Sequence, residues 1–132
     1  MIQRIVRAPI PIMLVRVADE VAEMRRAWPH LENLVGMRGR QFYGVVNDRT
    51  GEYYVSARIR DDDPADRFGL EVGEIAGGAY LRTVLKGEPP GVYDGIGPAC
   101  QQLHGLAEAD GERHDVEFYR RRGEIEIWMP VL

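Results

Sequence analysis

The sequence predicts an α+β domain in which a β-α-β-β unit occurs twice, at about residues 1–62 and 69–132. Three observations predict this class. Each half contains one stretch with the three- and four-residue apolar spacing of a helix, each contains several short runs rich in branched and aromatic residues, and glycine-containing turns separate those runs. The halves share the order of their elements and few residue identities. All 132 residues are expected to fold as one domain.

Two helices are predicted from the apolar stripes. The first follows Asp19, a residue suited to capping, and ends at a glycine. Pro29 interrupts its stripe, so we expect a kink or a restart beside Trp28. The second helix is predicted from about residue 93 to 107, and Pro98 fits it only if that proline lies in the first turn.

Strands are predicted where short apolar runs are bounded by turn residues. The segment 61–66, which contains four aspartates and one proline, is predicted as a solvated acidic loop between the two units. The predicted strands are residues 12–17, 41–46, 53–60, 70–75 and 80–86, together with the two strands of a terminal hairpin within residues 114–132.

The terminal hairpin is predicted to have two faces of different chemistry. A two-residue Arg-Gly turn at 122–123 would pair Glu117 with Trp128 and Tyr119 with Glu126. Side-chain alternation then places acids and aromatics on one face and branched apolar residues on the other. The first of these faces suggests a binding surface.

Composition argues against several classes of protein. The net charge of −4 and the scattered arginines do not indicate nucleic-acid binding, and no apolar run approaches the length of a membrane span. The single cysteine, Cys100, excludes an intrachain disulfide and is compatible with the cytoplasm. Cys100 and His104 are spaced as half of a metal site, but no second pair accompanies them, so we expect no metal and no cofactor.

Several segments of the chain resemble the GyrI-like family, the effector-binding domain of AraC-type and MerR-type transcription regulators. The strongest similarity lies in residues 74–80, 116–119 and 124–131, with Gly91-Val92-Tyr93 at a Gly-Pro-Tyr position of the family and weaker similarity at 42–45 and 53–57. The resemblance implies one curved antiparallel sheet, with both helices on its convex face and a ligand groove on the other. A tryptophan common late in the family's second helix is replaced here by residues 104–106, and the helix-turn-helix domain of many members is absent from this chain.

The resemblance places a groove glutamate of the family on Glu117. A carboxylate among aromatic rings attracts cations with flat or alkylated bodies. Partial burial would raise its pKa, so the same group could also serve as a general base, with Tyr119 or Tyr93 assisting. Without the resemblance, Glu117 would be interpreted as a surface residue, and Glu126 remains open between surface and groove. The predicted ligand-binding residues are Glu117, Tyr119, Trp128, Tyr80, Tyr93, Tyr43 and Tyr53.

Three hypotheses for function follow. The first is a stand-alone binding domain for aromatic, cationic small molecules. The second is a hydrolase of strained or electrophilic small molecules, with Glu117 and Tyr119 as catalytic residues. The third is a protein-interaction module, such as a topoisomerase modulator, that acts through a sheet edge or the acidic loop. The oligomeric state is left open by the sequence.

Overall fold

One antiparallel sheet of eight strands forms the centre of the protein, and the computed structural model describes all 132 residues. Helix α1 (Val21–Val35) follows the second strand, and helix α2 (Ile96–Leu106) follows the sixth. The strands are β1 (Gln3–Arg7), β2 (Ile10–Ala18), β3 (Phe42–Asn47), β4 (Glu52–Arg58), β5 (Glu71–Ile75), β6 (Gly78–Lys86), β7 (Asp115–Arg121) and β8 (Glu124–Pro130). The predicted α+β class with two helices is confirmed.

The strand order, β1-β6-β8-β7-β3-β4-β2-β5, reveals an internal symmetry. If β1 is exchanged with β5, β2 with β6, β3 with β7 and β4 with β8, the same strand order results, read from the other end. A pseudo-twofold axis therefore passes between β3 and β7, the two central strands. The first unit has one more strand than the sequence indicated, because β1 was not predicted, whereas all four strands of the second unit were predicted. The prolines at positions 9 and 11 interrupt the apolar pattern there, although Pro11 lies within β2 and opposite Glu74 of β5.

The sheet is strongly curled because its two ends are joined directly along the chain. Only two residues separate β1 from β2, yet these strands lie first and seventh in the order. The equivalent connection between β5 and β6 crosses it, and a Cβ atom on Gly77 would lie 2.7 Å from Cδ of Pro9. Glycine permits this close approach. The concave face encloses a core of ten buried residues: Ile10, Ile12, Leu14, Tyr43, Val45, Tyr54, Ile75, Tyr80, Val116 and Trp128.

Both helices cover the convex face. Helix α1 packs on β2 and β4, and α2 packs on β6 and β8, so the central strands β3 and β7 lie between them. Helix α1 continues through Pro29 as one helix of 15 residues, and Glu20 rather than Asp19 is its N-cap. A short 3-10 turn precedes α2, and Pro98 lies in the first helical turn, where its missing N–H has no intrahelical partner.

A β-bulge changes the pairing predicted for the terminal hairpin. The turn at 122–123 pairs Arg121 with Glu124, but the register shifts between Tyr119 and Arg121. Beyond the shift, Tyr119 pairs with Ile125 and Glu117 pairs with Ile127. The predicted Glu117–Trp128 and Tyr119–Glu126 pairs are therefore wrong, because an extra residue on one strand exchanges the faces beyond it.

Candidate functional site

Glu117 lies at the centre of the sheet, on the face that carries the helices. It pairs with Gly44 in the middle one of five residue pairs between β3 and β7, beside the pseudo-twofold axis. The resemblance implied a groove on the face without helices, and the bulge places this carboxylate on the opposite side. Since α1 and α2 pack on the flanking strands, Glu117 lies in the space between the helices.

Two tyrosine hydroxyls donate hydrogen bonds to the same oxygen of Glu117. Tyr53 Oη lies 2.6 Å from Oε1, Tyr119 Oη lies 2.7 Å from it, and the two hydroxyls are 3.4 Å apart. Gly44 makes room for this arrangement, because a Cβ atom there would lie 1.9 Å from Tyr53 Oη and 2.8 Å from Glu117 Oε1. The glutamate, two tyrosines and one glycine form a buried unit, in which Glu117 is only 7% exposed.

The electrostatic surroundings of Glu117 contain acids and no compensating cation. Burial raises the pKa of its carboxyl, and the hydrogen bonds from Tyr53 and Tyr119 oppose that shift. Asp19 and Asp115 raise the pKa further through charge repulsion. Burial also raises the pKa of both tyrosines, with the Glu117 charge adding to the effect, so they remain protonated donors at neutral pH. The site therefore combines acidic groups with no basic side chain among the charges that act on Glu117.

Aromatic side chains from both sides surround the hydroxyls. Trp28, on α1, contacts Tyr119 edge to face at 5.1 Å and Tyr53 at 6.5 Å between ring centroids. Tyr93, in the turn before α2, lies 6.5 Å from Tyr119 and is 47% exposed. A half-buried tryptophan and an exposed tyrosine thus flank the carboxylate from the two helical regions.

The predicted ligand-binding residues divide between the two faces of the sheet. Glu117, Tyr119, Tyr53 and Tyr93 are brought together on the helix-bearing face. The other three, Trp128, Tyr80 and Tyr43, lie in the concave core, where Trp128 is 2% exposed and contacts both tyrosine rings. The expectation that these three residues share a site with Glu117 is wrong. The hairpin bulge and the alternation of side chains along each strand place them on the other face of the sheet.

Three contributors to the site were missed by sequence reasoning. Trp28 was considered only as the residue beside the kink expected in the first helix. Gly44 carried the clearer signal, because a glycine within a strand often marks a close approach of another group. Asp115 gave no signal of its own, since its effect on Glu117 depends on burial and on the pairing of β7.

Asp115 and the residues of α2 form the polar end of the site. Asp115 Oδ2 lies 2.7 Å from His104 Nε2, and burial raises the pKa of this aspartate while the histidine opposes the shift. Burial raises the pKa of the Cys100 thiol to about 12, with Asp115 and Glu117 adding to it. Cys100 is therefore a protonated, unreactive thiol at neutral pH.

No group of three or more histidine, cysteine, aspartate or glutamate side chains is arranged to hold a metal ion. Neither helix combines the length and the apolar character needed to cross a bilayer. The groups that meet at the site are one carboxylate, two tyrosine hydroxyls and aromatic rings.

Comparison with known proteins identifies the fold. No protein-family model and no curated protein matches the chain. An integron cassette protein from Vibrio cholerae is 17% identical to this chain, with a TM-score of 0.77. The match covers 99% of this chain and 95% of the Vibrio protein. SAV2435, solved with tetraphenylphosphonium, is 16% identical with a TM-score of 0.70, covering 100% and 94%. A hydrolase from Listeria innocua is 10% identical with a TM-score of 0.59, covering 99% and 91%. The chain has the GyrI-like fold that the resemblance predicts.

Proposed function

We propose that this protein binds an aromatic, monovalent cation between α1 and α2, with Glu117 as its counter-charge. The observation that carries the proposal is a buried carboxylate without a cationic partner. Removing an ionised carboxylate from water costs several kcal/mol unless an opposite charge compensates it. A bound cation would provide that compensation, and the acids at positions 19 and 115 would add to its attraction.

The aromatic residues favour a cation with an organic body over a bare metal ion. Trp28, Tyr119 and Tyr93 present rings on both sides of the carboxylate, and a cation attached to flat or alkyl groups gains from contact with such rings. Trp28 and Tyr119 also limit access to Glu117, so ligand entry would require these side chains to turn aside. Exposed Tyr93 is suited to the first contact.

The fold shared with SAV2435 supports the same class of ligand. The structure of that protein holds tetraphenylphosphonium, a lipophilic cation with four aromatic rings. Because the likeness extends over the whole of this chain, an equivalent groove is a reasonable place for a similar ligand.

Calorimetric titration with tetraphenylphosphonium tests the proposal. We expect saturable binding by the unmodified protein and a loss of about 2 kcal/mol, roughly 30-fold in affinity, in Glu117→Gln. Glu74→Gln removes the same charge from an exposed strand position and is the matched control. Equal affinity in Glu117→Gln and Glu74→Gln would contradict the proposal and would favour an interaction module acting elsewhere on the surface.

A second candidate function, hydrolysis, is favoured by the contact between Glu117 and Tyr119. A carboxyl whose pKa is raised is suited to remove a proton from water, and a tyrosine hydroxyl 2.7 Å away is suited to orient a substrate or donate a proton. Incubation with epoxides and other strained electrophiles would separate this function from binding alone. Turnover that Glu117→Gln abolishes would support a hydrolase, whereas binding without turnover across the panel would exclude it for those substrates.

A further inference from the structure

The concave face of the sheet carries an opening on the side of the sheet opposite Glu117. Two adjoining cavities of about 520 and 300 Å³ lie at its rim. They share Arg7, Gln41 and Phe118, so we treat them as one recess. Residues on this face alternate with those that face the helices, and the recess therefore lies on the opposite side of the sheet from the proposed cation site.

Arginines dominate the recess. Its charged residues are five arginines and one glutamate: Arg7, Arg58, Arg82, Arg120, Arg121 and Glu126. The recess thus concentrates an excess of four positive charges in a protein whose net charge is −4. Like charges brought together in this way repel one another, and a concave surface of one sign attracts ligands of the other.

The single carboxylate of the recess is already engaged. Glu126 is 2% exposed, accepts a hydrogen bond from Trp128 Nε1 at 3.0 Å, and lies 3.4 Å from Arg82 and 3.5 Å from Arg120. Although two arginines share this carboxylate, Nε of Arg82 is buried with no hydrogen-bond acceptor. Arg120 and Arg121 also lie 3.4 and 3.5 Å from Glu124, so three guanidinium groups of the recess share two carboxylates.

Two further arginines of the recess have no ion pair. The Arg7 guanidinium lies over the ring of Trp128 at 5.3 Å, and Arg58 donates a hydrogen bond to the neutral side chain of Gln41 at 3.4 Å. Phe118, stacked on Tyr43 at 4.7 Å with 14° between the ring planes, supplies a flat apolar wall beside them. Free guanidinium forks next to an aromatic wall are suited to a ligand that combines an oxyanion with a flat organic group.

We propose that this recess is a second binding site, which holds a small aromatic oxyanion, a phosphate ester or a carboxylate, between the guanidinium groups of Arg7 and Arg58. The volumes match those of small-molecule sites. A nucleic-acid backbone would instead call for a basic stripe along the surface, whereas these charges converge on one concave recess.

Calorimetric titration of the full chain with 1-naphthyl phosphate, 1-naphthoate and neutral 1-naphthol tests the proposal. We expect the two anions to bind at least about tenfold more tightly than 1-naphthol, and their ranking distinguishes a phosphate site from a carboxylate site. Equal affinity for the neutral compound would overturn the proposal. So would displacement of 1-naphthyl phosphate by a lower concentration of single-stranded DNA, because that outcome would indicate a nucleic-acid surface.

Arginine variants locate the site. Arg7→Gln and Arg58→Gln should each weaken binding of 1-naphthyl phosphate by roughly fivefold to tenfold. Arg4→Gln is the matched control, because Arg4 lies on the same strand as Arg7 with its side chain on the opposite face. An equal loss in Arg4→Gln would show that only net charge matters and would overturn the assignment.

Glu126→Gln provides a test of opposite sign. The amide keeps an acceptor for Trp128 and removes the only negative charge of the recess, so binding of 1-naphthyl phosphate should become tighter by about threefold or more. Unchanged or weaker binding in a folded variant would contradict the proposal. Glu117→Gln should leave the affinity for 1-naphthyl phosphate unaltered. The proposed anion site and the proposed cation site can therefore be tested independently.

Discussion

Glu117 and Asp63 are both removed from water, but the protein treats their charges differently. Asp63 accepts two hydrogen bonds of 2.8 Å from Arg40 and a third from the backbone N–H of Arg60. The side chain of Arg40 lowers the pKa of Asp63 to about 2, whereas burial raises the pKa of Glu117. One carboxylate is neutralised within the fold, and the other is left with two hydroxyl donors.

The difference separates a structural role for Asp63 from the binding role proposed for Glu117. Arg40 also donates to the carbonyl oxygens of Val35 and Arg58, so its pair with Asp63 connects the end of α1 to β4. Glu117 connects no elements by an ion pair. Asp63, which stabilises the fold, has its counter-charge within the protein. Glu117, which is proposed to bind a ligand, has no counter-charge there.

The largest expected effect comes from breaking the satisfied pair. Asp63→Asn leaves Arg40 buried without a counter-charge, and we expect the free energy of unfolding to fall by about 3–5 kcal/mol in urea denaturation. Asp62→Asn, which breaks an exposed pair with Arg60, should cost less than about 1 kcal/mol. Similar losses in the two variants would mean that burial does not distinguish these pairs.

Gly44→Ala should produce the next largest effect. The added methyl group would overlap Tyr53 Oη, and the displaced hydroxyl would release Glu117. We expect a loss of about 1–3 kcal/mol in stability together with weaker binding of tetraphenylphosphonium. Gly97→Ala, at an open helical position, is the control and should leave binding unchanged and stability equal or up to about 1 kcal/mol higher. Retained affinity in folded Gly44→Ala would show that the tyrosine contact is dispensable for binding.

The smallest effects are opposite pH dependences of the two carboxyls. The folded-state pKa of Asp63 is depressed, so its contribution to stability is present above about pH 4 and is lost as the pH falls towards 2. The pKa of Glu117 is raised, so its contribution falls as the pH rises from about 4.3 through its folded pKa.

Over the same range in which Glu117 ionises, affinity for tetraphenylphosphonium should rise by about tenfold, because the charged form binds the cation. Glu117→Gln should remove most of this rise when calorimetry is repeated across the pH series. An identical rise in that variant would assign the dependence to Asp19 or Asp115, the acids that act on Glu117.

Much of the architecture could be predicted from the sequence. Apolar spacing identified both helices, and runs of branched residues identified seven of the eight strands. These signals are local, since each depends on residues within one element. The missed strand β1 lies beside two prolines, and its pairing with β6 depends on residues more than seventy positions away.

The candidate site was less accessible to sequence reasoning. The family resemblance identified Glu117 as a site residue, but the face of the sheet on which it lies depends on a bulge at Arg120. Nothing in the local sequence indicates that bulge. Asp63 was interpreted as part of a solvated loop, because its partner Arg40 lies 23 positions earlier in the chain. Which aspartate of the acidic segment is buried depends on packing rather than on local composition.

The pairing of Gly44 with Glu117 has a consequence for stoichiometry. Two similar halves meet at this pair, so an exact repeat would place a second acid opposite the first. The space for it is taken by Tyr53, and only a residue without a side chain fits. The two halves therefore contribute one carboxylate, Glu117, rather than two at this central pair. We therefore expect the proposed site to hold one monovalent cation per polypeptide.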